Sequence, residues 1–204
     1  MFSFDDDLFM DGYKTRFGPL NAQLADALQF LLRKIEADTR FVIDPTDRYQ
    51  LAYCLATFKW ETAHTLQPID EYGSDAYFEK RYGPNTKAGK QLGNTDIGDG
   101  ALFHGRGYVQ LTGRANYKRV GDYFKVDLIT EPDIAKSPDI AYNIAIEGLK
   151  QGWFTSKRLG QFFRDGEPPN YENARKIING LDKAQIIADI ARRFDELLVV
   201  SLER

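Results

Sequence analysis

Two carboxylates stand ten residues apart in KWETAHTLQPIDEYG, residues 59–73: Glu61 and Glu71. A helix capped by Thr46 or Asp47 and running to about His64 places Leu51, Leu55 and Phe58 on one apolar stripe. On that wheel Glu61 lies about 80° from Leu51, on the flank of the stripe and near the helix end. A carboxylate there is half-buried. Burial disfavours its charge and the negative helix terminus pushes the same way, so the expectation is a raised pKa, as a general acid near neutral pH needs. Pro68 ends the helix and leaves Glu71 on the following loop. One carboxylate on a helix end and one on a loop suit glycoside hydrolysis. Asp70, Asp75 and Glu79 compete with Glu71 for the second role.

A second stretch, FHGRGYVQLTGRANY at residues 103–117, mixes glycines, arginines and aromatics with Gln110, Thr112 and Asn116. It is not G-x-G-x-x-G, because Gln110 stands at the third glycine and no clear strand precedes it, so a dinucleotide site is disfavoured. His64 and His104 are the only histidines and lack ligand spacing, so no metal or other cofactor is expected. His64 reads as a surface residue, and His104 as one able to line a cleft. There is no G-x-S-x-G to support a serine triad. Amides, hydroxyls and tyrosines together suit sugars: amides both donate and accept, and rings cover the apolar faces of pyranoses.

The elements that must hold these groups are mostly helical. Leu20, Leu24, Leu28, Leu31, Leu32 and Ile35 recur at helical steps. Ser137-Pro138 starts a later helix with the stripe Ala141, Ile144, Ala145, Gly148, Leu149 and Gly152. A short helix ends at Asn179-Gly180. The last helix is expected to bury Ile186, Ile187, Ile190, Phe194 and Leu197. Between them, Gly73, Gly83, Pro84, Gly89, Gly93, Gly98 and Gly100 interrupt residues 67–103, which read as one long irregular insertion. The fold class is mainly α, and residues 1–204 read as a single domain able to form two lobes, with no separate binding module.

Composition narrows the partners. A net charge of −3 and a pI of about 5.5 disfavour a nucleic-acid role for Arg106, Arg114, Lys118 and Arg119. A single cysteine, Cys54, lies among apolar neighbours and reads as core, so no intramolecular disulfide is expected. The acidic N-terminus is not a Sec signal, and no run is long enough to span a membrane. The expectation is a monomer without membrane insertion, cytoplasmic until released.

GRGYVQLTGRANY resembles the GRG-x-x-QL-[ST]-x-x-x-NY signature of glycoside hydrolase family 19, the plant and bacterial chitinases and many phage endolysins. WETAHTLQPIDE resembles the family's helix end followed by a second glutamate, and ARKIINGLD its later Ile-Asn-Gly segment. LGNTDIGDGALFHGRG resembles the phage and bacterial branch. The resemblance implies a lysozyme-like, two-lobed helical fold with a central substrate cleft. It implies that Glu61 is the general acid, that Glu71 is the general base, and that Thr112 helps hold the attacking water. Gln110, Asn116 and Asn179 would then bind sugar, with Tyr108 lining the floor. Arg106 would be a buried or cleft-wall charge tying the lobes, and a family arginine would be Arg192 or Arg193.

Two departures stand out. Trp60 replaces the His that usually precedes the acid, and Thr62-Ala63-His64 follows where many chitinases have Gly-Gly. Cleavage of β-1,4 bonds between N-acetylhexosamines is the implied activity, by inversion, with carboxylates roughly 6.5–9.5 Å apart. The phage-like block favours peptidoglycan, as in an endolysin, over chitin. A catalytically silent sugar binder on the same scaffold is the rival from another class.

Overall fold

A computed structural model describes residues 2–202. The chain forms two compact units. One joins residues 1–66 to 146–204, and the other is residues 67–145.

The first unit is built mainly on four helices of 12 to 18 residues. Helix α1 is Asp6–Phe17, capped by Asp5, and α2 is Ala22–Glu36, capped by Asn21. Helix α3, Pro45–Glu61, starts one or two residues before the expected cap. Asp44 accepts the backbone N–H of Asp47 and Pro45 takes the first turn, where its missing N–H costs nothing. The apolar stripe expected on α3 is too narrow a description. Every residue from Leu51 to Phe58 is at most 2% exposed. Small Ala52, Cys54 and Ala56 fill the flanks of the stripe and let neighbours close on all sides, the signature of a central core helix. The last helix of the chain, Ala184–Ser201, packs along both α3 and α1. It buries Ile187, Ile190, Phe194 and Leu197, but Ile186 is 45% exposed at the edge of that stripe, about 60° from its centre.

The second unit corrects the expected long irregular region. Residues 67–103 hold strand β1, Ile69–Asp70, and three short helices: α4 Asp75–Tyr82, α5 Lys87–Gln91 and α6 Asp99–Leu102. The glycines stop helices rather than prevent them. Ser74 and Thr86 cap the starts by accepting the N–H of Tyr77 and Gly89. Strand β2, Arg106–Gly107, pairs antiparallel with β1, setting Ile69 opposite Gly107 and Asp70 opposite Arg106. Helix α7, Arg114–Phe124, and a 3-10 turn at Pro132–Lys136 follow. Polar contacts support this unit beside its Phe78, Phe103 and Tyr117 core. Arg114 forks onto both oxygens of buried Asp99, which also accepts the N–H groups of Thr95 and Asp96.

Helix α8, Pro138–Gln151, starts in the second unit and ends in the first. Helix α9, Tyr171–Ala174, and a 3-10 turn, Arg175–Ile177, precede the last helix, α10.

Candidate active site

In the first unit Glu61 is the last residue of α3, and its side chain is 19% exposed. The chain turns sharply after it. The Thr62 hydroxyl donates to the Phe58 carbonyl at 2.7 Å and accepts from Leu66 N–H, while Ala63, His64 and Leu66 adopt left-handed conformations. One oxygen of Glu61 accepts from Arg175 Nη1 at 2.5 Å. Arg175 is 3% exposed, and its Nε donates to the Asp182 carbonyl. Tyr53, on the same helix as Glu61, donates its hydroxyl to the Ala174 carbonyl at 2.9 Å. Helix α3 thus fixes both the acid and the segment that presents the acid's partner. The cation beside Glu61 is thus Arg175, just upstream of Asn179-Gly180, and not Arg192 or Arg193 downstream of it. Arg192 pairs with Asp189, and Arg193 reaches the Arg16 carbonyl. The signal was present: an Arg among the apolar residues of ARKII. The reading of Glu61 from burial alone lacked this cation. Asn179 is exposed at the end of the same segment, its N–H donating to the Arg175 carbonyl. Trp60 meets His64 edge to face at 5.8 Å, and His64 is exposed.

In the second unit Glu71 follows β1, and its N–H donates to the Gly105 carbonyl, extending the pairing by one residue. One carboxylate oxygen accepts from the Tyr82 hydroxyl at 2.9 Å, the other from the Gly105 N–H at 3.2 Å. Arg81 stands 3.7 Å off. The loop beyond is pinned by reciprocal backbone bonds between Arg106 and Leu111. Its reversal needs Gly107 at φ +89° and puts Gln110, a non-glycine, at φ +56°. Gln110 Nε2 donates weakly to the Ile69 and Gly107 carbonyls. Thr112 Oγ1 donates to the Gln110 carbonyl at 2.8 Å, and Asn116 Nδ2 to the Thr112 carbonyl at 2.7 Å.

Gly105 organises this cluster. A Cβ there would lie 2.7 Å from Gln110 Oε1 and 3.1 Å from Glu71 Oε2, so only a glycine admits both side chains. Glu71 and Gln110 are thereby brought together, and Thr112 and Asn116 follow in a chain of hydrogen bonds from the Gln110 carbonyl. Tyr108 is not part of the group. It is 1% exposed, a core residue whose ring no sugar can reach, and this corrects its expected place on a cleft floor.

The rival carboxylates differ in their surroundings. Asp70 faces Lys136 at 2.6 Å, His104 at 3.1 Å and Arg106 at 3.4 Å. Burial raises its pKa, but the hydrogen bonds from Lys136 and His104 and the charges of Lys136 and Arg106 outweigh that, leaving it below the usual carboxylate range. Asp75 is exposed in the first turn of α4, and Glu79 accepts the Gly100 N–H. His104, stacked on Phe78 at 4.6 Å, is a member of the Asp70 cluster. Arg106 is buried, and its described partners are Asp133, Asp70, Tyr117 and the Leu102 and His104 carbonyls. All lie within residues 67–145, so this arginine ties strands and loops inside one unit rather than tying lobes.

Among the described residues no group of three or more His, Cys, Asp or Glu could hold a metal ion, and no helix is long and apolar enough to cross a membrane.

Comparison with known proteins finds similar sequences and folds. The chain is 32% identical over 93 residues to chitinase 11 of Oryza sativa subsp. japonica, covering 38% of this chain and 35% of that protein. It is 31% identical over 98 residues to an acidic endochitinase of Petunia hybrida, covering 45% of this chain and 33% of that one. The chain thus spans about a third of the length of these curated relatives. Its fold matches the crystal structure of chitinase C from Streptomyces griseus, with a TM-score of 0.62 at 19% identity over 96% of this chain and 92% of that one. It also matches a bacterial family 19 chitinase, with a TM-score of 0.54 at 18% identity over 96% and 94% of the two chains. The mainly helical, lysozyme-like fold is therefore shared with these proteins. The family 19 sequence model, described as class I chitinase, matches residues 41–158, more than half of the chain and the span from before α3 to beyond α8. This chain belongs to glycoside hydrolase family 19.

Proposed function

We propose that the protein hydrolyses β-1,4 bonds between N-acetylhexosamines in chitin-type chains by single displacement. The observation that carries this is the cluster around Gly105, where a half-buried carboxylate and the Gln110 amide converge, with the Thr112 hydroxyl bonded to the carbonyl of that same Gln110. Glu61 gives its proton to the glycosidic oxygen. Glu71, held by the neutral donors Tyr82 and Gly105, keeps lone pairs for a water that attacks the anomeric carbon. The Thr112 hydroxyl spends its proton on the Gln110 carbonyl, so its free lone pairs accept from that water. Gln110, Asn116 and Asn179 offer amides to sugar acetamido and hydroxyl groups.

The named relatives are chitinases, which supports chitin better than the peptidoglycan favoured from sequence alone. Peptidoglycan remains the second reading, carried by the block LGNTDIGDGALFHGRG, and in that reading the protein would act on the cell wall after release from a cytoplasm. Wild type and Glu61→Gln are incubated with chitin oligomers and with purified peptidoglycan, and products are read by mass spectrometry and anomeric NMR. Chitin cleavage giving the inverted anomer, lost in the variant, is the expected result. Faster cleavage of peptidoglycan would move the assignment to the second reading. Binding without cleavage of either would replace both with a silent sugar binder.

A further inference from the structure

Lys59 ends the buried run of α3 and is only 8% exposed, yet no carboxylate faces its ammonium among the described residues. Among the described residues its ammonium hydrogen-bonds the Tyr13 hydroxyl at 2.7 Å, and the Tyr13 and Phe17 rings each lie 5.1 Å away. Burial pushes the Tyr13 phenol up to about 12, so it is a neutral partner and not a counter-ion. The same burial lowers the Lys59 pKa. An ammonium has three donors, and desolvating it without an opposite charge is unfavourable.

The group opens onto a cavity of 470 Å³ that lies wholly within the unit of residues 1–66 and 146–204. Arg16 and Arg193 also line it. Arg16 Nε is buried and makes no hydrogen bond. Glu196, an exposed carboxylate, stands 3.5 Å from it, while Arg16 Nη1 donates to the Gly12 carbonyl at 3.3 Å. Arg193 is exposed, and its Nη1 reaches the Arg16 carbonyl at 3.3 Å. His64 also lines it, its pKa lowered by burial and by Lys59, and an imidazole carries no negative charge to offer Lys59. Three cations thus face one cavity on a chain whose net charge is −3, against one exposed glutamate. Leu24 and Ile190 make the remaining wall apolar.

We propose that this cavity binds an oxyanion of the phosphate type, with Lys59 and Arg16 Nε as its inner donors and Arg193 at the entrance. A tetrahedral oxyanion accepts from several donors at once and supplies the charge Lys59 lacks. The apolar wall leaves room for an alkyl substituent on the anion, so a free phosphate and a lipid headgroup share the required chemistry. Neither Glu61 nor Glu71 lines the cavity, so the site stands apart from the glycosidase reading.

The test follows backbone amide signals of the whole protein by NMR during titration with inorganic phosphate, against sodium chloride at equal ionic strength. Saturable shifts confined to residues near 13–17, 59–64 and 190–193 are expected with phosphate and absent with chloride. Arg193→Gln, at an exposed position that leaves the core untouched, and Lys59→Met should each weaken binding at least about fivefold. Hexyl phosphate should bind several-fold tighter than inorganic phosphate. Co-sedimentation with phosphatidylglycerol-containing vesicles, lost in Arg193→Gln, would assign a lipid headgroup, and its absence a free anion. Non-saturating shifts, equal shifts with chloride, or unchanged affinity in Arg193→Gln would overturn the proposal.

Discussion

The two candidate carboxylates are held in opposite ways. Glu61 takes a single charged partner, Arg175, from 114 positions away, and the core helix α3 anchors both through Tyr53 and Ala174. Glu71 takes its hydrogen bonds from neutral donors nearby, a phenol eleven residues on and a backbone N–H brought in by strand pairing, with the exposed Arg81 guanidinium farther off at 3.7 Å. The first arrangement fixes an oxygen by charge inside a rigid apolar unit. The second leaves the carboxylate uncommitted within a loop cluster of hydrogen bonds. A group that must receive a proton benefits from neutral neighbours, while a buried pair trades that freedom for position. The scaffolds differ in the same sense. Among the described residues the carboxylates held below their usual range, Asp70, Asp99 and Asp127, all lie in residues 67–145.

The largest effect that could break this comparison is loss of the base. Glu71→Gln should lower glycan cleavage by roughly 10²–10⁴-fold with little change in thermal stability. Equal loss in Asp70→Asn with Glu71→Gln active would transfer the role to Asp70. Next comes Arg175→Gln. Leaving Glu61 without its partner in a half-buried setting should cost about 2–3 kcal/mol. For a chain of this size that lowers Tm by about 5–10 °C in calorimetry, beside lost activity. A variant with wild-type Tm would show that the pair does no structural work.

Gly105→Ala separates position from stability on the other side. The glycine is not in a left-handed conformation, and the new methyl meets mainly the movable Gln110 amide and Glu71 carboxylate. Cleavage should fall about tenfold or more while stability changes by under about 1 kcal/mol, because side-chain ends can swing away but then no longer converge. A Tm loss as large as that of Arg175→Gln would erase the contrast between the two regions.

The smallest effect concerns acid. Burial raises the Asp99 pKa, but the Arg114 fork and the Asp96 and Thr95 N–H groups hold it below its usual range. Its unfolded value is about 3.9, so its stabilisation is complete above that pH and is lost as pH falls further, through the lower folded value. Hydrogen exchange should show residues 67–145 loosening below about pH 4, with a flatter pH dependence in Asp99→Asn. An unchanged dependence in that variant would remove Asp99 as the cause.

Much of this molecule is written in short-range patterns. Asn21, Ser74 and Ser137-Pro138 precede their helices, the apolar steps of α2 and α10 trace their buried faces, and GRGYVQLTGRANY marks its cluster by residue type alone. These signals are legible because caps and periodicity act within one or two helical turns. The glycines of residues 67–103 misled for the same reason: a stop signal does not say how much helix precedes it. What only tertiary structure decided was partnership across distance. It chose Arg175 over Arg192 and Arg193 for Glu61, enclosed Asp70 among three basic side chains, set Glu71 and Gln110 around one glycine, and buried Tyr108. Which charge meets which, and which ring is covered, depends on packing between segments far apart in the chain. No local spacing encodes that.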